Sequence, residues 1–395
     1  MRLGMTLADV LLLPAGLAGV GSRPSLPPHL RDGRYLVDSS VEVSMLTVGN
    51  RMLAINRDRE NSMSDGLIDL LSDTFADRPL RVGTRSSPMA LSQANDVRDR
   101  INKRVPGLDV ELVAMTTKAD LWPGDLAELG GKGLYTKEID RALMSAQVDI
   151  AVHCMKDVPG DVPLPQGTAF GAYLERDDVQ DVVVTRDGTR LADIPSGSVI
   201  GTSSVRRRAQ LHMYRPDLRS ERIRGNVNSR LAKLKEDATY AGLILARAGL
   251  NRIDALDSNH YEVLPVEFHP ADSGIVSMVP AVGAGVIGIQ ARIADSPIMR
   301  LLDELNDPAT AGHILAERTM LHMLRGHCNS PIAGHACTTA DGQMSLYGMV
   351  FNRDGSTFVR SHLWGDPDDP ATLGSRVACD LLYQGARHLI TATRK

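Results

Sequence analysis

LRVGTRSSPMALSQANDVRDRINKR, residues 80–104, reads as a short apolar strand over Leu80 to Gly83, a polar turn, and a helix from Pro88 to Arg104 with Ser87 at its cap. The same alternation continues outward from it. Strands are expected at Val110 to Met115, Asp149 to Cys154, Val182 to Thr185, Ser198 to Ile200 and Ala241 to Ala246. Helices are expected at Leu134 to Ser145, Val205 to Tyr214 and Val227 to Lys235. Apolar strands alternating with amphipathic helices predict α/β layers, here two units in succession. A helix near Ala309 to Leu324, strands at Met344 to Phe351 and Thr357 to Leu363, and a helix from Ser375 to Thr391 then predict a small α+β unit.

The chain has 395 residues, too many for one ordinary core, which argues for two or three domains. With 43% hydrophobic and 23% charged residues it is globular in composition, and no stretch is apolar enough for long enough to span a bilayer. A net charge of −4 gives no global attraction for nucleic acid or acidic membrane, so anion binding has to come from local clustering. Cys154, Cys328, Cys337 and Cys379 are scattered without paired spacing, which suits reduced thiols in a cytoplasm. Residues 1–78 lack convincing periodicity and read as a poorly structured or spurious extension. The apolar run near Val10 to Leu17 leaves a secretory signal as the other reading. Met63 offers an alternative start, ahead of a helix-like stretch from Gly66 to Phe75.

The strongest local signal is arginine density. Arg206, Arg207, Arg208, Arg215, Arg219, Arg222, Arg224 and Arg230 crowd one segment, beside turns at Gly201 to Ser204 and Gly225 to Asn226 that can open helices. Arginine forks suit carboxylates and phosphates. A solvated, salt-bridged helix face is the plainer reading, and a nucleic-acid surface a third, weakened by an aromatic content of only 4%. His153 to Pro159 follows an apolar strand, where ligand sites of open α/β sheets gather. Asp157 there, beside Lys156, is either a proton-handling carboxylate or part of a simple turn.

Gly130 to Gly133 lacks the hydroxyl residue of a nucleotide loop and reads as a substrate-covering loop. Gly283, Gly285 and Gly288 fit a dinucleotide fingerprint, but Pro280 spoils the strand that should precede them. Cys328 sits in a loop with Gly326 and His327. It reads as an inert thiol, a nucleophile or covalent anchor, or part of a metal site for which the spacing is wrong.

In order and spacing these motifs resemble those of the porphobilinogen deaminase family, over about residues 79–395. The resemblance rests on Arg81 to Pro88, Gly130 to Leu134, Ala151 to Pro159, Gly201 to Arg207, Arg224 to Val227 and the Cys328 loop. It implies two solute-binding-protein-like (periplasmic type II-like) α/β domains plus a small α+β C-terminal domain. Their expected limits are residues 79–175 with 278–305, 176–277 and 306–395. It also implies a dipyrromethane cofactor attached through Cys328 and no metal.

By the same resemblance Asp157 is the catalytic residue. Ser87, Lys156, Ser204, Arg206, Arg207 and Gly225 hold the cofactor, and Arg85, Arg224, Arg230, Arg252 and Lys132 hold porphobilinogen. The implied partner is that small molecule, with no nucleic acid and no membrane, and a cytoplasmic monomer is expected. His327 stands where the family usually has glycine, Cys154 where it has serine, Ala284 where it has glutamine, and Tyr135 where it has phenylalanine. Those departures leave a non-catalytic carboxylate-binding module on the same scaffold as the alternative.

Overall fold

The computed structural model describes residues 64–122, 133–253, 260–266, 277–326 and 330–393. It opens with α1 (Ser64–Thr74), β1 (Leu80–Arg85), α2 (Pro88–Arg104), β2 (Val110–Met115), the single turn α3 (Lys118–Leu121), α4 (Lys137–Met144), β3 (Ile150–Cys154) and β4 (Thr168–Tyr173). A second run follows: β5 (Asp181–Thr185), β6 (Val199–Gly201), α5 (Val205–Tyr214), β7 (Arg219–Glu221), α6 (Val227–Glu236), β8 (Tyr240–Ala246), α7 (Arg247–Ile253) and β9 (Tyr261–Leu264). The chain then returns through β10 (Ile287–Arg292), α8 (Ser296–Leu305) and α9 (Pro308–Met323). It ends in β11 (Ile332–Thr338), β12 (Met344–Phe351), β13 (Phe358–Gly365), α10 (Pro370–Tyr383) and α11 (Ala386–Ala392).

Local chemistry sets several of these boundaries. Ser87 Oγ accepts the Ala90 N–H at 3.3 Å and Pro88 fills the first turn, so α2 starts there and buries Ala90, Ala94, Val97 and Ile101 along one face. Ser204 and Asn226 cap α5 and α6 in the same manner. The helix expected from Ser375 to Thr391 is instead two. Gly385, with φ +102°, takes the left-handed conformation between α10 and α11 and breaks the run.

The extension expected to reach residue 78 also ends earlier than that. Leu67, Leu71 and Phe75, spaced four apart, put one face of α1 into the core of the first lobe.

Two five-stranded sheets share one plan. The first runs β2-β1-β3-β10-β4 and the second β7-β6-β8-β5-β9. In each, three parallel strands are followed by an antiparallel strand in fourth place: β10 against β3 and β4, and β5 against β8 and β9. Those two strands are the ones the chain enters on crossing between lobes, so both crossings, at 174–180 and 277–286, lie beside the carboxyl ends of the parallel strands. Register fixes this, since Ile287 opposes Cys154 and Asp181 opposes Ala246. This topology gives the two solute-binding-protein-like α/β lobes. A three-stranded antiparallel sheet, β11-β12-β13, backed by α9 and α10, makes the small third unit.

Apolar burial holds each layer. Leu80, Val82, Ile150, Val152, Ile287 and Ile289 pack against Val97 and Ile101 of α2 and Leu301 and Leu302 of α8. The third sheet joins the second lobe through Tyr347, Met349 and Phe351 against Ala209 of α5. A Cβ on Gly355 would lie 2.0 Å from the Ala209 carbonyl oxygen, so the β12–β13 turn docks on α5 backbone to backbone. No helix among the described residues is long and apolar enough to cross a membrane.

One buried carboxylate joins the units. Glu317 of α9, fully buried, accepts from Arg176 Nη1 at 2.7 Å on the outgoing crossing, from the Gly283 N–H at 2.7 Å on the return crossing, and from the Ala336 N–H at 2.8 Å in β11. Burial holds the neighbouring His335 down to about 4, so it adds no positive charge at neutral pH. Glu317→Ala should destabilise the protein by about 3–5 kcal/mol, because the Arg176 charge stays buried without a partner. Denaturant unfolding measures this, and the double variant with Arg176→Ala should lose less than the two single losses combined.

Candidate active site

The carboxyl ends of the parallel strands of both sheets open on one cavity of about 180 Å³. From the first lobe it takes Arg85 at the end of β1, Ser87 at the start of α2, Tyr135, and His153, Cys154, Lys156 and Asp157 at the end of β3. The second lobe gives Asp181, Arg206, Arg207, Arg230 and Arg252. Strand ends collect ligand sites in open α/β sheets because helix starts and loops converge there.

Asp157 closes a 3₁₀ turn, Met155–Asp157, directly after β3. Its carboxylate is 33% exposed and lies 3.8 Å from Arg85 Nη1. Arg85 is held on two further sides. Asp120 accepts from its Nε at 3.3 Å and from Nη2, and its guanidinium lies 4.2 Å over the Tyr135 ring. Burial alone would raise Asp120, but Arg85 and Thr117 outweigh it and keep this carboxyl below the ordinary range. Burial, with Asp157, pushes the Tyr135 phenol up against the opposing charges of Arg85 and Arg224.

Asp181 organises the second lobe's share. Arg206 Nη2 reaches it at 2.6 Å and Arg207 Nη2 at 2.7 Å, while the same guanidiniums donate to the carbonyls of Val279 and Ile244. Burial would raise Asp181, yet the paired arginines bring it down to about 2. Arg252 pairs with Asp177 at 2.8 Å. Arg230 and Lys156 have no carboxylate partner among the described residues. Arg230 Nε donates to the Gly225 carbonyl at 2.8 Å, and burial, with Arg207 and Arg224 nearby, lowers it to about 10. Cations exceed carboxylates in this lining, which suits a polyanionic ligand.

The remaining expectations divide. Ser87 and Ser204 serve as helix caps at the site. Gly225 has φ +113°, and a Cβ there would fall 2.1 Å from Ser229 Oγ, so glycine is required before α6. Arg224 crosses to the first lobe and donates to the Trp122 carbonyl at 3.2 Å. Lys132 and Cys328, with His327, lie outside the described residues. Part of the arginine density is structural: Arg215 ties the carbonyls of Leu191, Ala192 and Ile194, and Arg219 that of Gly197.

The family models match on both sides of this site. "Porphobilinogen deaminase, dipyromethane cofactor binding domain" matches residues 80–300, and "Porphobilinogen deaminase, C-terminal domain" matches residues 311–383. The chain is 47% identical to porphobilinogen deaminase 2 of Streptomyces coelicolor, over 79% of this chain and 96% of that one. It is 42% identical to the porphobilinogen deaminase of Syntrophobacter fumaroxidans, over 80% and 98%. The chain belongs to the porphobilinogen deaminase family.

Solved structures with a similar course include YhfZ from Shigella flexneri (12% identity, 64% of this chain and 94% of that chain, TM-score 0.32). An ancestral cationic amino acid solute-binding protein is another (14%, 61% and 91%, TM-score 0.36). The strand order described above, not these likenesses, defines the fold.

Within this porphobilinogen deaminase family chain the glycine fingerprint has a different use from nucleotide binding. Gly283 and Gly285, both at φ +75°, shape the return crossing, and a strand follows them where a dinucleotide fold would place a helix. A Cβ on Gly283 would meet the Met155 backbone at 2.8 Å, and one on Gly285 the Asp177 carbonyl oxygen at 2.3 Å. The glycines let the crossing lie flat against the Met155–Asp157 turn. Sequence reasoning missed Asp120, Asp177 and Asp181, the carboxylates that hold Arg85, Arg252 and the Arg206–Arg207 pair. The only signal for them is their place next to predicted strand ends.

Because the folded-state value of Asp181 lies below its ordinary 3.8, its pairing stabilises the protein fully above about pH 4 and fades as pH falls towards about 2. The loss is on the order of 2 kcal/mol. Equilibrium unfolding of the wild type and Asp181→Asn between about pH 6 and about pH 2 should show the gap between them narrowing on acidification.

Proposed function

We infer that the chain is a transferase of tetrapyrrole biosynthesis, a hydroxymethylbilane synthase that condenses four porphobilinogen molecules head to tail with loss of ammonia. The observation that carries this reading is the cavity in which guanidiniums from both lobes surround the single carboxylate of the β3 turn, Asp157. Porphobilinogen bears an acetate and a propionate, so each addition brings two more carboxylates, and fixed arginines are what such a product needs.

The lining also fits a dipyrromethane. Arg206 and Arg207 are already oriented by Asp181, Arg230 and Lys156 are uncommitted to any carboxylate among the described residues, and the Ser87 and Ser204 hydroxyls mark two helix starts. In our reading Ser87, Lys156, Ser204, Arg206, Arg207 and the Gly225 turn hold the cofactor. Arg85, Arg224, Arg230, Arg252 and Lys132 hold the incoming substrate, and Cys328 is the point of attachment. The dipyrromethane supplies the free α carbon to which the first substrate unit is joined.

What the chain's own residues do follows from charge. Loss of ammonia from the aminomethyl carbon leaves an electron-poor methylene pyrrolenine, with positive charge at the pyrrole nitrogen. Asp157, fixed in place and ionised, accepts from that N–H, stabilises the charge as it develops and carries the proton. Arg85, beside Asp157, grips a substrate carboxylate and sets the ring's angle to it. Residues 79–175 with 278–305 and residues 176–277 form the two domains that face each other across the cleft, and 306–395 the domain that presents the cysteine. The working form is a cytoplasmic monomer.

Asp157→Asn should abolish turnover while leaving the unfolding midpoint near that of the wild type, because the change is isosteric and removes only charge. Near-normal turnover would refute the role. The intact mass of the purified protein should exceed the polypeptide mass by two linked pyrrole units, and Cys328→Ala should remove the excess. A bare polypeptide, even after incubation with porphobilinogen, would overturn the attachment.

A further inference from the structure

The Asp157 carboxylate makes no hydrogen bond among the described residues, so its position depends on the backbone that carries it. That backbone is fastened from outside its own lobe. Upstream, the Met155 N–H donates to the Val286 carbonyl at 3.0 Å, and within the turn the Val158 N–H donates to the Met155 carbonyl at 3.2 Å. Downstream, the fastening comes from α9. Arg318 Nη1 donates to the Val158 carbonyl at 3.2 Å and Nη2 to the Pro159 carbonyl at 2.9 Å. One turn further along α9, His322 Nδ1 lies 3.1 Å from the Gly160 carbonyl oxygen.

Packing repeats the pattern. Ile314 of α9 is buried with Met155 and Val158, and a Cβ on Gly160 would sit 2.5 Å from Leu321, so the chain after Asp157 is pressed onto the helix. Arg318 has no carboxylate partner among the described residues. Its fork is spent on two successive backbone carbonyls, a charge-assisted clamp that holds a peptide segment in one place. A structural ion pair would have put an acid there.

We propose that Arg318 is a positioning residue for the condensation: by clamping the Val158 and Pro159 carbonyls to α9, it sets where the Asp157 carboxylate stands. This rests on the reading of Asp157 as the catalytic carboxylate. The arrangement ties that carboxylate to the helix that leads, in sequence, to Cys328, so the two ends of the chemistry share one frame. Displacements on the scale of 1 Å cost roughly a hundredfold in rate when geometry is this closely set.

The test compares Arg318→Met, which keeps an unbranched stem without donors, with Arg318→Lys, which keeps a charge but only one donor group. Both are purified as holoprotein, with cofactor loading read from intact mass. Porphobilinogen turnover is then measured per loaded, folded molecule. Arg318→Met should keep its pyrrole mass and a KM within about twofold of the wild type while kcat falls roughly 10- to 100-fold, and Arg318→Lys should lie between them.

A kcat within about twofold in Arg318→Met, or a loss explained wholly by a smaller folded fraction, would sink the proposal. If Arg318→Met fails to fold, Arg318→Lys and Arg318→Gln decide it by the same kcat against KM comparison. Asp157→Asn, run alongside, separates the two layers. An active Asp157→Asn removes the reading on which the clamp depends, whereas an inactive one beside a normal Arg318→Met removes the clamp alone.

Discussion

Glu317 is the point at which the three parts of the chain are made into one. Its two oxygens take up a guanidinium and a backbone N–H from the two crossings between lobes and a second N–H from the third sheet, all without contact with water. A buried carboxylate is costly unless every lone pair is satisfied and a cation is at hand, and here both conditions hold. The crossings are consequently pinned side by side. The glycine turn at 283–285 can then rest on the Met155–Asp157 segment, and the mouth of the cavity is defined by a junction that contains none of its charged lining.

The cavity itself follows a single rule: its arginines are oriented before any ligand arrives. Asp120, Asp177 and Asp181 hold Arg85, Arg252 and the Arg206–Arg207 pair at set angles. Each internal acid reduces the attraction for an anion yet removes most of the side-chain entropy that a free arginine would lose on binding. Arg230 and Lys156, without such acids among the described residues, leave the net field positive. Fixed dipoles and charges that need no reorganisation are the arrangement that favours charge developing in a reaction.

Elements carried by strong local signals were legible. The helices Pro88–Arg104 and Val205–Tyr214 have serine caps and clear periodicity, and Val110–Met115 and Met344–Phe351 are β-rich runs between turn residues; all four have the expected limits. β10 was not legible, because Gly288 and Gln290 interrupt its apolar character. Gln290 is tolerated in the core only because it reaches Thr168 Oγ1 at 2.8 Å, a partner supplied by a distant strand. β4, with its own Gly171 packed against Leu302, was hidden for the same reason. At the site, the basic and glycine motifs could be seen, but not which arginines face the cavity. Arg207 and Arg215 look alike in sequence and differ only in which acid and which carbonyls the fold brings to them.

The strand order also has a bearing on how the chain is made. The second sheet draws all its strands from residues 181–264, so it can close soon after they leave the ribosome. The first sheet cannot. β10 sits between β3 and β4, yet it is translated after the whole second sheet, so the nascent first lobe waits with two adjoining apolar strand edges unpaired. Native pairing between such distant segments is slow and exposes edges prone to aggregation. The order of assembly is thus the reverse of the order of synthesis for the two lobes. The vulnerable interval, the time to translate some hundred residues at ribosomal speed, is when a chaperone would find its substrate.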